Sequence, residues 1–196
     1  MTQCKNYGIF APGLPASGRC AREFRLFQII GMHVNQSDPQ AMFVEAVDRN
    51  IPKAVQLLLA DPRVNPSAND NLAIWRASEN GHAEVVRLLL ADPRVDPSAI
   101  NYFMNINAIT RASYNGHVEV VRLLLAHPRV DPSANDNSAI RRASLNGHAE
   151  VVQLLLADGR ADPSANDNEA IRLAIQQGHV VVVQLLWETY RRTNGF

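Results

Sequence analysis

Histidine is the residue type in this chain best suited to chemistry, because imidazole binds metal ions and transfers protons near neutral pH. Four histidines recur at intervals of 31 to 35 residues, each directly after a glycine: His82, His117, His148 and His179. A zinc ion needs its ligands at about 2.0–2.1 Å, whereas packed helices lie about 8–10 Å apart. Histidines that repeat with the helices therefore cannot share one ion. We expect a structural role at a tight turn and no metal site.

Serine, histidine and aspartate, the residue types of a hydrolase site, occur at matched positions of successive copies. A nucleophile needs a base and an orienting group in one pocket, whereas here each residue type has the same task in every copy. The sequence contains neither a glycine-rich phosphate loop nor an HExxH helix. We expect no catalytic residues, no cofactor and no enzymatic activity.

The composition indicates a folded, electrically neutral chain. Lys plus Arg and Asp plus Glu both number 19, so no net field attracts nucleic acid or acidic membranes. The hydrophobic content of 46% is typical of a folded protein, and no apolar run is long enough to span a membrane. Cys4 and Cys20 form no CxxC pattern and are interpreted as reduced thiols. With no secretory signal at its start, the chain is expected to be cytoplasmic.

The histidines belong to a longer repeat. Residues 130–157 read VDPSANDNSAIRRASLNGHAEVVQLLLA, and similar stretches begin at Val64, Val95 and Ala161. The glycine before each histidine recurs after 35, 31 and 31 residues. A fixed period in this range is typical of a solenoid, in which one supersecondary unit stacks on copies of itself.

Each copy predicts two helices. The Asn-Asp-Asn triplet, for example 69–71, is expected to accept hydrogen bonds from the first N–H groups of the following helix. The glycine of Asn-Gly-His ends that helix, and the VVxLLL pattern predicts a second helix that a proline or Gly159 ends. The predicted helix pairs cover about 40–60, 71–91, 106–126, 137–157 and 168–192.

The Asn-Gly-His-x-Glu-Val-Val-x-Leu-Leu-Leu pattern and the Val-Asp/Asn-Pro-Ser link resemble the ankyrin repeat over roughly residues 40–190. The resemblance implies an all-α, ankyrin-type helical solenoid of about five stacked helix-turn-helix repeats with short connecting fingers. The usual Thr-Pro-Leu-His opening is absent, and the period is 31 rather than 33. We expect an irregular lead at 1–20, a degenerate capping half-repeat at 21–40, the solenoid at 41–192 and a tail at 193–196.

The resemblance also implies a protein-binding module, in which the first helices and the fingers line a concave face. Positions that differ between copies are free for binding, unless their variation is drift on a solvated face. The candidates among them on the first helices are Trp75, Glu79, Thr110, Tyr114, Arg141, Leu145, Arg172 and Gln176. The finger at 100–105 is four residues longer than its counterparts, and its apolar residues Ile100, Tyr102, Phe103 and Met104 either bind a partner or pack over neighbouring repeats.

Two repeated sets of charges have a structural interpretation instead. Arg76, Arg111 and Arg142 recur in register, as do Glu84, Glu119 and Glu150. They are expected to form a ladder of ion pairs between adjoining helices. The last helix carries Trp187, Tyr190, Arg191 and Arg192, a mixture of aromatic and charged residues that suits a terminal cap.

Three other functions remain open from the sequence. The solenoid could select a target while residues 1–34 recruit other machinery, such as a ubiquitin ligase. Surface arginines could bind nucleic acid weakly, against which the neutral charge argues. The apolar finger at 100–105 could join two copies of a chain that is otherwise a monomer. The favoured partner is a protein whose identity the sequence does not reveal.

Overall fold

The computed structural model describes residues 38–100 and 106–195, and apart from a single β-bridge residue at Ile106 the regular elements in these ranges are helices. All five predicted helix pairs are present, so the prediction of an all-α helical repeat fold is confirmed. The predicted lead and nearly all of the capping half-repeat lie outside the described residues. The helices are α1 (Pro39–Asp48), α2 (Pro52–Leu59), α3 (Ala68–Glu79), α4 (Ala83–Leu90), α5 (Ala108–Asn115), α6 (Val118–Leu125), α7 (Ala134–Leu145), α8 (Ala149–Asp158), α9 (Ala165–Gln176) and α10 (Val180–Asn194).

The chain divides into two compact units, residues 1–65 and 66–196. In the first unit, Asp38 accepts a hydrogen bond from the N–H of Gln40 at 2.9 Å and so begins α1. The Gln40 amide then bonds to both backbone groups of Asn65, at 2.8 and 3.1 Å. This exchange ties the start of α1 to the segment after α2.

In the second unit, four helix pairs stack in two rows. The first helices α3, α5, α7 and α9 contact one another in succession, and so do the second helices α4, α6, α8 and α10. Alanines 77, 112 and 143 are fully buried in the first row, where the lack of a large side chain lets neighbouring helices approach closely. Leucines 89, 124 and 155 are fully buried in the second row. Burial of each leucine contributes about 1.5–3 kcal/mol.

The Asn-Asp-Asn triplets adopt a conformation that the sequence prediction missed. Asn135, Asp136 and Asn137 have φ of 55°, 54° and 58°, three consecutive residues in the left-handed region. The triplets at 69–71 and 166–168 have the same dihedrals. A left-handed turn costs most residues about 1–2 kcal/mol each, and Asn and Asp tolerate it best. Each triplet is thus a left-handed turn ahead of the regular helix.

The third helix pair begins differently, because its longer finger replaces the triplet. Asn107 has an extended backbone, and its side chain accepts a hydrogen bond from the N–H of Thr110 at 3.1 Å. A side-chain cap of the kind predicted for the triplets is thus found at Asn107, where the sequence analysis did not predict one. In the triplets the last asparagine has another partner: the Oδ1 atoms of Asn71 and Asn137 accept the N–H groups of Asp96 and Asp162, each at 2.7 Å. These bonds join a helix pair to the link that follows it.

Candidate functional site

The repeated histidines join the turn of each copy to the end of the first helix in the preceding copy. The Nε2 atom of His117 lies 2.8 Å from the carbonyl oxygen of Glu79, at the end of α3. A carbonyl oxygen only accepts, so Nε2 carries the proton. His148 bonds in the same way to Tyr114, at 2.9 Å, and His179 to Leu145, at 3.0 Å. In the described ranges no three His, Cys, Asp or Glu side chains group as metal ligands.

The asparagine of the same turn supports this contact. Asn115 donates from Nδ2 to the Glu79 carbonyl at 2.7 Å, and Asn146 donates to the Tyr114 carbonyl at 2.8 Å. The last carbonyls of a helix have no partner within the helix. Two side-chain donors from the next copy therefore satisfy one such carbonyl at each of these junctions.

The first helices also carry a group of side chains that we call the aromatic–arginine cluster: Trp75, Glu79, Arg111, Tyr114 and Arg142. The guanidinium of Arg111 lies 5.1 Å from the ring centre of Trp75 and 5.5 Å from that of Tyr114. It also donates to the Glu79 carboxylate through Nε and Nη2. The guanidinium of Arg142, on the next first helix α7, lies 5.9 Å from the ring centre of Tyr114. Cations and aromatic faces attract each other at such distances.

Two members of the predicted binding set are less accessible than their variability suggested. Trp75 is only 9% exposed, and its indole nitrogen is buried without a hydrogen-bond partner in the described structure. Thr110 is buried, and its hydroxyl lies 2.8 Å from that of Ser138. Trp75 and Thr110 were expected on an accessible strip, and their burial corrects this expectation. Thr110 belongs instead to the contact between α5 and α7. Variation between copies at this position reflects packing in these two repeats.

The remaining predicted residues on the first helices lie at the surface. Arg141 forms an ion pair with Glu169 at 2.8 Å and donates to the carbonyl of Asp136 at 3.1 Å. Arg172 is exposed and lies within 3.3 Å of the carbonyl of Asn166. Leu145 is half-buried and Gln176 is exposed. The structure thus places these residues on α7 and α9, beyond the aromatic–arginine cluster in the same row of helices.

Arg111 and Arg142 were missed as candidate site residues because they recur unchanged in register. The predicted ladder paired these arginines with the carboxylates of Glu84, Glu119 and Glu150 on the second helices. This pairing is wrong for Arg111, which pairs with Glu79 of the preceding first helix. Glu84 and Glu119 pair with Arg87 and Arg122 on their own helices, at 3.1 and 3.5 Å, and Glu119 also lies 4.0 Å from Arg87 of the preceding second helix. A repeated arginine can therefore serve a site where its neighbours differ.

At the long finger, Ile100 is 42% exposed. Tyr102, Phe103 and Met104 lie outside the described residues, so the expected contact site at the finger stays a prediction. Within the described residues, no helix combines the length and apolar character needed to cross a membrane.

Two comparisons with known families find matches. A family model described as ankyrin repeat matches residues 69–102, and one described as ankyrin repeats, in three copies, matches residues 94–167. Together they extend over slightly more than half of the 196 residues. Comparison with curated proteins gave no match.

Proposed function

The chain belongs to the ankyrin repeat family, and we propose that it binds a partner protein through the exposed row of first helices in residues 66–196. Ankyrin repeats are generally protein–protein interaction modules, and the family typically acts as a non-enzymatic scaffold. The proposal adds a location to this general role. It assigns the chain a binding task without catalysis.

The aromatic–arginine cluster is the observation that carries the proposal. Arg111 is held by two ring faces and a carboxylate, so its guanidinium loses little freedom when a partner binds. Tyrosine, tryptophan and arginine are the residue types that dominate measured interface energies. Tyr114 and Arg142 are both half-buried, with their remaining surface open to a partner. The cluster therefore offers a rigid, amphipathic contact surface.

Residues beyond the cluster extend this surface. Arg141, Leu145, Arg172 and Gln176 follow on α7 and α9, whereas Glu79 of the cluster supplies a carboxylate on α3. The surface carries both signs of charge beside apolar area. This mixture suits a folded protein surface or a peptide better than a uniform polyanion.

A capture experiment with paired variants tests the proposal. The full chain and the variants Tyr114→Ala and Arg142→Ala are used to retain partners from a lysate of the source cell, followed by mass spectrometry. Arg122→Ala is the matched control, because Arg122 is an exposed arginine of the second helix α6 that pairs with Glu119. We expect each cluster variant to retain at least tenfold less of the partner that the control retains fully.

Thermal melting of the same proteins separates binding from folding. The cluster variants should melt within a few degrees of the parent chain, since both residues are only half-buried. Equal retention by all four proteins would overturn the proposed site.

The other candidate functions gain less support. Nucleic-acid binding would use unpaired arginines, whereas Arg111 and Arg141 are neutralised by Glu79 and Glu169. An adaptor role depends on residues 1–34, which lie outside the described ranges, and it stays a prediction. The same applies to self-association through the finger at 100–105.

A further inference from the structure

The last helix pair exposes a surface whose counterparts are covered in earlier copies. Asn137 and Ile140 are buried, whereas Asn168 and Ile171, in the same register, are only half-buried. Prolines 66, 97 and 132 are likewise buried, whereas Pro163 is half-buried. In the copies that have a triplet, the difference arises next to its last asparagine.

In the earlier copies, the link to the next helix pair occupies this place. The backbone N–H of Asp96 donates to Asn71 Oδ1, and that of Asp162 donates to Asn137 Oδ1, both at 2.7 Å. The residue before each aspartate, Val95 or Ala161, is buried. Each link thus presents a small apolar side chain and then a backbone donor to the preceding copy.

In the last copy, a cavity of about 200 Å³ lies at this place, lined by Pro163, Asn168, Ile171, Leu186, Trp187 and Tyr190. One water molecule takes up about 30 Å³ in the liquid, so the cavity has room for a side chain with its backbone. The rings of Trp187 and Tyr190 stack at 5.8 Å, and Trp187 is 50% exposed.

Within the described residues, the chain continues here as a helix and does not turn into a link. The second helices α4 and α6 are eight residues long, whereas α10 continues for 15 residues. Its residues from Thr189 onward extend the helix where Asp92 begins the turn into a link. Gly178 also indicates that this end of the stack is uncovered in the described structure. No atom of the described residues would touch a Cβ built at Gly178, whereas Gly81, Gly116 and Gly147 are each covered by a histidine.

We propose that this cavity binds an extended segment of a partner protein in which a small branched apolar residue precedes Asp-Pro. The apolar side chain enters between Ile171 and Trp187, and the following backbone N–H donates to Asn168 Oδ1. This is the chemistry by which internal links are held at Asn71 and Asn137. The site is separate from the aromatic–arginine cluster, so either can fail without the other.

A complete extra repeat fits this surface less well than an extended segment. Ile175 stands where Ser78, Ser113 and Ser144 are fully buried, and it is 61% exposed. A helix packed as closely as those on the internal serines would collide with the larger isoleucine. The link position carries no such obstacle.

A peptide titration tests the proposal. The probe is a capped synthetic peptide with the sequence of residues 127–134, HPRVDPSA, added to the full chain with the background substitution Trp75→Phe. Trp187 is then the sole tryptophan, and its emission reports on the cavity. We expect a saturable change, at least tenfold weaker binding of the Val130→Asp peptide, and about fivefold weaker binding by the Asn168→Ala chain.

The matched control is Asn71→Ala, which removes the same side chain from an internal copy. Asn71 holds the link at Asp96, which does not line the cavity, so this variant should leave peptide affinity unchanged. Circular dichroism verifies that both variants are folded, and Asn168→Ala should keep the parent melting temperature. Equal affinity for the two peptides, or no effect of Asn168→Ala, would overturn the proposal. It would also be overturned if sedimentation showed that the cavity is filled by a second copy, with association lost in Trp187→Ala.

Discussion

The imidazole of His148 lies directly on the α-carbon of Gly116, where a Cβ atom would stand 2.6 Å from Nδ1. Glycine is therefore required twice at this position, once for its φ of 76° and once for the space above it. The same ring bonds through Nε2 to the carbonyl of Tyr114. One side chain thus joins the turn and the helix end of the preceding copy.

Gly116→Ala should destabilise the protein more than Gly178→Ala does. Both glycines have positive φ, so each alanine has a backbone strain of about 1 kcal/mol. Only at Gly116 must His148 also move, which adds a further 1–3 kcal/mol. Urea denaturation of the two variants measures the difference directly. Equal losses would show that the histidine contact contributes nothing.

The left-handed triplets lead to an opposite expectation for glycine. Asp136 is exposed and has φ of 54°, so Asp136→Gly relieves strain and should stabilise the folded state by up to about 1 kcal/mol. Asp136→Val should destabilise it by about 1–2 kcal/mol, because a β-branched residue tolerates this conformation poorly. Thermal melting distinguishes the two. A neutral Val variant would contradict the left-handed turn.

The Asn-Asp-Asn triplets also show how far the sequence could predict the fold. Helix periodicity and the repeated Gly placed all five helix pairs to within a few residues, because these signals are local. The triplet was interpreted as a cap, since Asn and Asp favour both caps and left-handed turns. Only the backbone dihedrals distinguish the two, and the partner of Asn137 lies 25 residues away at Asp162.

The predicted binding set was limited in a different way. Comparison of copies identifies a position as variable but cannot tell whether its side chain faces solvent. Thr110 varies because it meets Ser138 across the α5–α7 contact. Arg111 was passed over because it is constant, although Trp75, Glu79 and Tyr114, which surround it, differ from their counterparts. Whether a residue belongs to the site depends on the side chains that neighbouring copies place around it. Comparison of a single position between copies does not reveal those side chains.

Substitutions of Trp75 should change the stability of the fold through the size of the new side chain and hardly through the loss of a hydrogen bond. Its indole N–H is buried without an acceptor in the described structure, so Trp75→Phe removes no hydrogen bond and should change stability by less than about 1.5 kcal/mol. Trp75→Ala leaves a cavity and should cost about 3–5 kcal/mol. Chemical denaturation of both variants tests this. A large loss in the Phe variant would indicate that the N–H has a partner.

The link at His127 lacks the ion pair found at three other links. Asp61, Asp92 and Asp158 each bond to the arginine two residues later, and these bonds hold the pKa of each carboxyl below its ordinary value. His127 stands at the equivalent place beside Arg129. Burial, and then the charge of Arg129, lower the pKa of the His127 imidazole, and the carboxylate of Asp96, which lies 4.0 Å from Arg129, opposes this shift in part.

His127→Asp should therefore stabilise the protein, and increasingly so as the pH falls from 8 to 5. In the parent chain, a lowered histidine pKa means that the folded state binds fewer protons, so stability is lost as the pH falls below about 6.5. An aspartate paired with Arg129 contributes stability above about pH 4 and loses it only below that pH. At pH 8 the gain should be that of a partly exposed ion pair, about 0.5 kcal/mol. The other histidines are common to both proteins and cancel in the difference between melting temperatures. A difference that stays constant across this pH range would contradict the assignment.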